Sequence, residues 1–242
     1  MKKPEISSYK DVIEYFRDCH KAVLATCDEL EHLLKRAEER GLFRSFAEDE
    51  GWAEVFRFFT TDAPRHEIEE ETMLFPVLAQ RVPHIGFQPA AAPIHFLVEG
   101  HEVMQHRMIE LVRSWQAFLK APHDTTALAE ASSARKEEDQ AFLATGRELV
   151  QLYREHVALE EERIYSVAAR ELTGAQRLEL ADILRGQMTK EAVSRVLPYD
   201  APQFSDPKYA ATSIETDLQS DLTVGQTEED EDASDDVAYE RF

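Results

Sequence analysis

Two segments of this chain half-match each other, and their spacing constrains the fold more than any other feature. One reads His66-Glu-Ile-Glu-Glu70-Glu-Thr-Met-Leu-Phe-Pro-Val, the other His156-Val-Ala-Leu-Glu160-Glu-Glu-Arg-Ile-Tyr-Ser-Val. Both set a Glu four residues after a His, then a second Glu, an aliphatic–aromatic pair and Val. Residues i and i+4 of an α-helix lie about 40° apart, so imidazole and carboxylate project side by side toward one point. Each segment follows a helix that carries a further His: His20 stands 46 residues before His66, and His101 stands 55 before His156. The chain reads as two helical hairpins, each supplying a His and then His-x-x-x-Glu.

The stripes these residues occupy point inward. His156 and Glu160 share a face with Leu149, Leu152, Tyr153, Ile164 and Val167, and His66 and Glu70 share theirs with Met73 and Val77. His101 falls among Ile94, Leu97, Val98, Met108 and Val112, and His20 among Ile13, Phe16, Leu24 and Cys27. Two carboxylates on buried stripes cost several kcal/mol each unless a cation or a close donor compensates. Any one of these histidines, taken alone, reads as a satisfied core residue. As a set they point to metal. Two other pairs at the same spacing, His95/Glu99 and His106/Glu110, lie about 120–180° from His101 on its helix and are expected on the solvated side. In the runs Glu69–Glu71 and Glu160–Glu162, only Glu70 and Glu160 are expected to face inward. Cys19 reads as packing, and His32, His84 and His123 as surface or loop.

Helical periodicity covers most of residues 8–196. It predicts a first helix from about Ser8 to Arg40 ending at Gly41, and a second from Glu48 to Thr61. Asp62 and Pro64 read as the cap and first turn of a continuation to Gln80. Pro83, Gly86, Pro89 and Pro93 mark a loop. A helix follows from about Pro93 to Lys120, then one from Asp124 to Arg170 with a break near Ser132. Thr173 and Gln176 form a capping-box pattern for a short final helix to about Met188.

Composition supports this reading. Eight Gly and ten Pro in 242 residues are few enough to favour helices over turn-rich β architecture. Two cysteines are too few for a disulfide framework or a four-cysteine zinc site. No stretch of about 18 apolar residues is present, and no apolar h-region follows Lys2 and Lys3, so a cytoplasmic location is expected. The formal net charge of −21 argues against a nucleic-acid or anionic-membrane partner. Residues 201–242 hold 12 acids and two bases, and are expected to form a disordered acidic tail apart from a bundle over residues 1–200. That tail is a candidate contact for a protein partner.

Nitrogen and oxygen donors without thiolate suit iron, manganese or zinc, and six of them exceed what one tetrahedral zinc requires, which favours two ions. A ferritin-like bundle would carry Glu-x-x-His on two helices; this chain has only Glu29-x-x-His32. The sequence resembles the hemerythrin, or HHE cation-binding, family over about residues 8–170. The resemblance rests on His20, the block His66-x-x-x-Glu70 followed by Leu74-Phe75-Pro76, His101, and His156-x-x-x-Glu160. It implies an all-α, antiparallel four-helix bundle enclosing two non-haem irons with an oxo or hydroxo bridge, manganese being the alternative metal. It further implies His20, His66, His101 and His156 as terminal ligands and Glu70 and Glu160 as bridges. Oxygen-carrying members have a fifth His where this chain has Gln105, and a second Leu-Phe-Pro where it has Ile164-Tyr165-Ser166. Four histidines with two glutamates are similar to di-iron proteins linked to iron–sulfur cluster repair and nitric-oxide stress. Glu67 is a candidate extra ligand by the same resemblance.

The expected function is a di-iron protein that binds O2, NO or peroxide at an open iron position, in sensing or in the redox or nitrosative stress response. Two alternatives stand beside it: an oxidoreductase that consumes peroxide or NO or repairs iron–sulfur clusters, and an iron-responsive interaction module.

Overall fold

The computed structural model describes residues 2–82, 93–120 and 132–186, and among them there is no strand. After a 3-10 turn at Ile6–Ser8, helix α1 spans Val12–Arg40. It starts four residues later than periodicity predicts, because Asp11 caps it: the Asp11 carboxylate accepts from the Ile13 N–H at 2.9 Å. It ends at Gly41, whose φ of +86° is the region that favours glycine. A short helix the sequence reading lacked, α2 (Leu42–Glu48), carries Ser45, which accepts from the Trp52 indole at 3.0 Å and donates to Asp49 at 2.8 Å.

The next helical stretch is continuous from Gly51 to Arg81. It is built of α3 (Gly51–Arg57), α4 (Ala63–Glu69) and α5 (Phe75–Arg81), joined by π-turns at Phe58–Asp62 and Glu70–Leu74. Asp62 is therefore not a cap. It lies in helical backbone inside the first π-turn, and its carboxylate accepts from Arg57 at 3.2 Å. Both wide turns share a local cause. Thr60 and Thr72 turn their hydroxyls back onto Phe56 O (2.7 Å) and Ile68 O (2.6 Å), and Pro64 and Pro76, four residues on, lack the N–H that would bond the Thr carbonyls.

Helix α6 spans Pro93–Lys120 and α7 spans Ser132–Glu160; the part of the expected helix that precedes Ser132 lies outside the described residues. A third π-turn, Glu161–Tyr165, leads into α8 (Ser166–Glu171). The capping box of Thr173 and Gln176 opens α9, which runs Gly174–Leu184 and stops short of Met188. The acidic segment 201–242, with His84 and His123, lies outside the described residues.

Cross-helix contacts fix the directions. Arg17 meets Glu161 at 3.1 Å, Asp28 meets Arg154 at 2.7 Å and Glu38 meets Arg147 at 2.6 Å, so numbers rise along α1 as they fall along α7. The same crossing relates α6 to α7, through Arg107–Glu148 at 3.2 Å and Gly100 facing His156. Tyr15–Glu69 and Lys3–Glu69 (2.8 and 2.6 Å) bring α4 onto α1, and Glu71–His101 and Glu67–Gln105 (2.9 and 3.4 Å) bring it onto α6. The architecture is an antiparallel four-helix bundle.

Its apolar interior divides into two clusters. One holds Val23–Leu34 of α1, Trp52–Ala63, Met104–Trp115 and Phe142–Val157; the other holds Val12–Cys19, Leu74–Leu78, Ile94, Leu97 and Ile164–Ala181. On every helix the gap between the two clusters falls at the same level. His20, His66 to Glu70, His101 and Glu160 occupy that gap. No described helix is long and apolar enough to cross a membrane.

Candidate metal centre

All six residues singled out from the sequence meet in this polar layer. Five of the side chains are buried, Glu70 0 % exposed and Glu160 1 %, and His156 is partly buried with its side chain 9 % exposed. They fall into two sets whose nitrogen and oxygen atoms lie within 4.8 Å of one another: His20, His66 and Glu70, and His101, His156 and Glu160. Each set comes from one hairpin. The carboxylates interlock them. Glu70 Oε1 lies 3.9 Å from His20 Nε2 and 3.7 Å from His66 Nε2, while its Oε2 lies 3.8 Å from His101 Nε2. Glu160 Oε1 lies 3.1 Å from His156 Nε2 and 3.6 Å from His101 Nε2, and its Oε2 lies 3.0 Å from His20 Nε2.

Carboxylates behind the rings set their orientation. Glu161 faces His20 Nδ1 at 3.1 Å and Glu71 faces His101 Nδ1 at 2.9 Å. An ionised carboxylate only accepts, so each Nδ1 carries the proton, and Nε2 is the atom turned to the centre. Arg17 in turn donates to Glu161 at 3.1 Å. Glu71 is 4 % exposed and Glu69 8 %, so the expectation that only Glu70 of this run faces inward is corrected. Both Glu70 and Glu71 lie in the π-turn Glu70–Leu74, and Glu71 is covered by α6, where it meets His101. Glu69 is covered from the N-terminal segment and from α1, where Lys3 Nζ and the Tyr15 hydroxyl respectively donate to it. Glu162, by contrast, is open to solvent.

The electrostatics divide the two central carboxyls. Burial and the neighbouring Glu160 push Glu70 well above the carboxylate range. Burial also opposes charge on Glu160, but His156, His101 and His20 outweigh it and hold that carboxyl well below its usual value. Burial and His20 keep His66 neutral, and burial lowers His156. For His20 burial is overcome by Glu160 and Glu161, which raise it to about 9; for His101 it is overcome by Glu160 and Glu71, which raise it well above its usual value.

Six atoms of this layer are buried without a hydrogen-bond partner: both His66 nitrogens, the Nε2 atoms of His101 and His156, Glu70 Oε2 and Glu160 Oε1. Buried polar atoms are nearly always satisfied, and an orphaned one costs about 1–3 kcal/mol. A cation is the simplest partner for nitrogen lone pairs and carboxylate oxygens converging on one cavity. The donor set fits a metal ion.

The Hemerythrin HHE cation binding domain model matches residues 11–168. The chain belongs to the hemerythrin HHE family. No curated protein and no solved structure matches it. The family assignment agrees with the helical bundle and with the His/Glu groups able to hold metal ions.

Around this HHE centre two further residues stand out. Glu67, the candidate extra ligand, lines the cavity but belongs to neither donor set; it accepts from Gln105 and from the Tyr153 hydroxyl, each at 3.4 Å. Burial pushes its carboxyl up to about 7. Tyr165 was read from sequence only as a departure from Leu-Phe-Pro. Its hydroxyl is wholly buried, donates to Glu70 Oε1 and lies 3.1 Å from His20 Nε2. The signal that could have found it is its offset from His156, the same as that of Phe75 from His66.

The remaining assignments fall as expected. His95 pairs with Glu99 at 3.3 Å on the solvated face, while His106 and Glu110 are exposed but bond to Glu102 O and Arg107 instead of each other. His32 is exposed. Cys19 and Cys27 are free and buried, their thiols pushed up to about 12 by burial, which makes both inert packing.

Proposed function

We propose that this HHE protein holds two iron ions, one on His20, His66 and Glu70 and the other on His101, His156 and Glu160, with both carboxylates shared. Manganese is the alternative metal. The observation that carries this is the interlocked geometry: each carboxylate faces imidazoles of both sets, and the unsatisfied atoms converge on one cavity. The Nδ1 partners Glu161 and Glu71 hold two of the imidazoles with Nε2 turned inward, and Val23, Ala63, Met104 and Val157 wall the cavity against water. Bound there, two irons would supply redox equivalents and a coordination position for a small ligand. O2, NO or peroxide is the ligand we assign to that position, and sensing or a redox or nitrosative stress response is the role we assign. Anaerobic loading with Fe(II), followed by metal analysis and absorption spectroscopy, is expected to give two irons per chain and a spectrum that responds to O2 or NO. Less than one transition-metal ion per chain overturns the reading.

One observation favours turnover over reversible binding. Glu67 sets a carboxyl that titrates near neutrality at the wall of the same cavity, where it can give or take a proton. Peroxide or NO consumption that disappears in His156→Ala supports an oxidoreductase; reversible spectra on cycling O2 support a binding protein.

A further inference from the structure

The two half-matching segments carry an aromatic ring at the same offset, nine residues after their His: Phe75 and Tyr165. The rings do the same packing. Phe75 lies parallel to His101, with centroids 6.2 Å apart and planes 8° apart; Tyr165 lies parallel to His20 at 4.7 Å and 13°. Each ring thus supports an imidazole contributed by the other hairpin. A phenylalanine suffices for that, as Phe75 demonstrates, so the hydroxyl of Tyr165 calls for a separate account. A buried phenol must find a polar partner. This one finds Glu70 Oε1 and His20 Nε2, two donors of the same set. Ligands at right angles on one ion, with bonds of about 2.1 Å, sit about 3 Å apart. The 3.1 Å between Tyr165 Oη and His20 Nε2 has that spacing. Tyr153, a phenol that lines the cavity, turns its hydroxyl to Glu67 instead.

We infer that Tyr165 is a ligand of the ion held by His20, His66 and Glu70, binding as a phenolate. The inference rests on the di-iron reading above. On binding, the Oη–H bond breaks, an Oη–metal bond forms and the proton leaves to solvent; no electron is transferred. The first ion then has an oxygen donor with no counterpart on the second, and the two metals are chemically unequal.

The test uses the full chain loaded with Fe(II) and then oxidised, with iron measured in each sample. Wild type is expected to show a phenolate-to-iron charge-transfer band in the visible, with tyrosine ring modes in the resonance Raman spectrum excited in that band. Tyr165→Phe is expected to lose both per iron bound, and Tyr153→Phe to keep both. Wild type that binds iron but shows no tyrosine modes overturns the inference and leaves the di-iron reading standing. Modes that persist in iron-loaded Tyr165→Phe overturn it equally. Wild type that binds no iron ends both. Should Tyr165→Phe fail to fold by circular dichroism, tyrosine modes present in wild type and retained in Tyr153→Phe support the assignment, and modes lost in Tyr153→Phe overturn it.

Discussion

At the residue scale, the imidazoles that face the centre depend on carboxylates that never reach it. Removing the charge behind a ring lowers the basicity of its inward nitrogen and frees the ring to turn, an effect of about 10–100-fold in metal affinity. Glu71→Gln and Glu161→Gln are each expected to weaken metal binding by about that factor in a chelator competition. Glu71→Gln should have the larger effect, since its carboxylate is 5 % exposed against 35 % for Glu161 and less screened by solvent. Protons compete for the same atoms. His20 is raised to about 9, so at neutral pH it carries a proton that a metal must displace, and the upward shifts of His101 and Glu70 act in the same direction. Metal uptake is therefore expected to release protons, and affinity to rise with pH by about tenfold per unit for each proton released. Calorimetry in buffers of different ionisation enthalpy measures that number; release of no protons would contradict the electrostatics. The six central donors were legible in sequence because the i,i+4 spacing of His66/Glu70 and His156/Glu160, and the apolar stripes that carry His20 and His101, are local properties. Glu71 and Tyr165 were not: a regular helix puts Glu71 about 100° from Glu70, off the stripe that carries it, and Tyr165 reaches Glu70 from the other hairpin.

At the element scale, the π-turns at Glu70–Leu74 and Glu161–Tyr165 stand next to the two central carboxylates, at matching places in the two hairpins. Helix extents were readable from periodicity, but a π-turn preserves periodicity on either side of it and so hides within a helical pattern. Thr60/Pro64 and Thr72/Pro76 are the local trace it leaves; Asp62 before Pro64 resembled a cap for the same reason. Helix spacing rests on two glycines. A Cβ on Gly100 would lie 2.8 Å from His156 Nδ1, and one on Gly146 would lie 2.7 Å from Leu34 Cδ2. Both overpack, which costs about 1–3 kcal/mol, yet they should differ in kind. Gly100→Ala is expected to displace the His156 ring and lose metal at the second donor set. Gly146→Ala, at a flexible leucine end in the apolar cluster, is expected to lower Tm by a few degrees and leave metal stoichiometry intact. Thermal melts and metal analysis on the same samples separate the two outcomes.

At the scale of the whole molecule, the polar layer is a weak plane across an otherwise apolar bundle, and a cation there should stabilise the fold. Ligand at about a thousand times its Kd adds about 4 kcal/mol, which for a domain of this size is a rise of about 8–16 °C in Tm. A melt with and without bound iron is expected to show a shift of that order, and no shift would place the metal elsewhere. A chain ending at residue 200 is expected to melt at the same temperature with the same metal content, since all six donors and both apolar clusters precede that point.

Each donor set is drawn from a single hairpin, His20, His66 and Glu70 from the first and His101, His156 and Glu160 from the second. The molecule is thus divisible. Cleaved between residues 82 and 93, it would yield two polypeptides that each retain a complete triad, with the shared carboxylates and Tyr165 left to be exchanged across the gap. Reassembly of such fragments would then be a metal-assisted bimolecular reaction, in which the ions act as the clasp between two halves whose apolar faces complete one another.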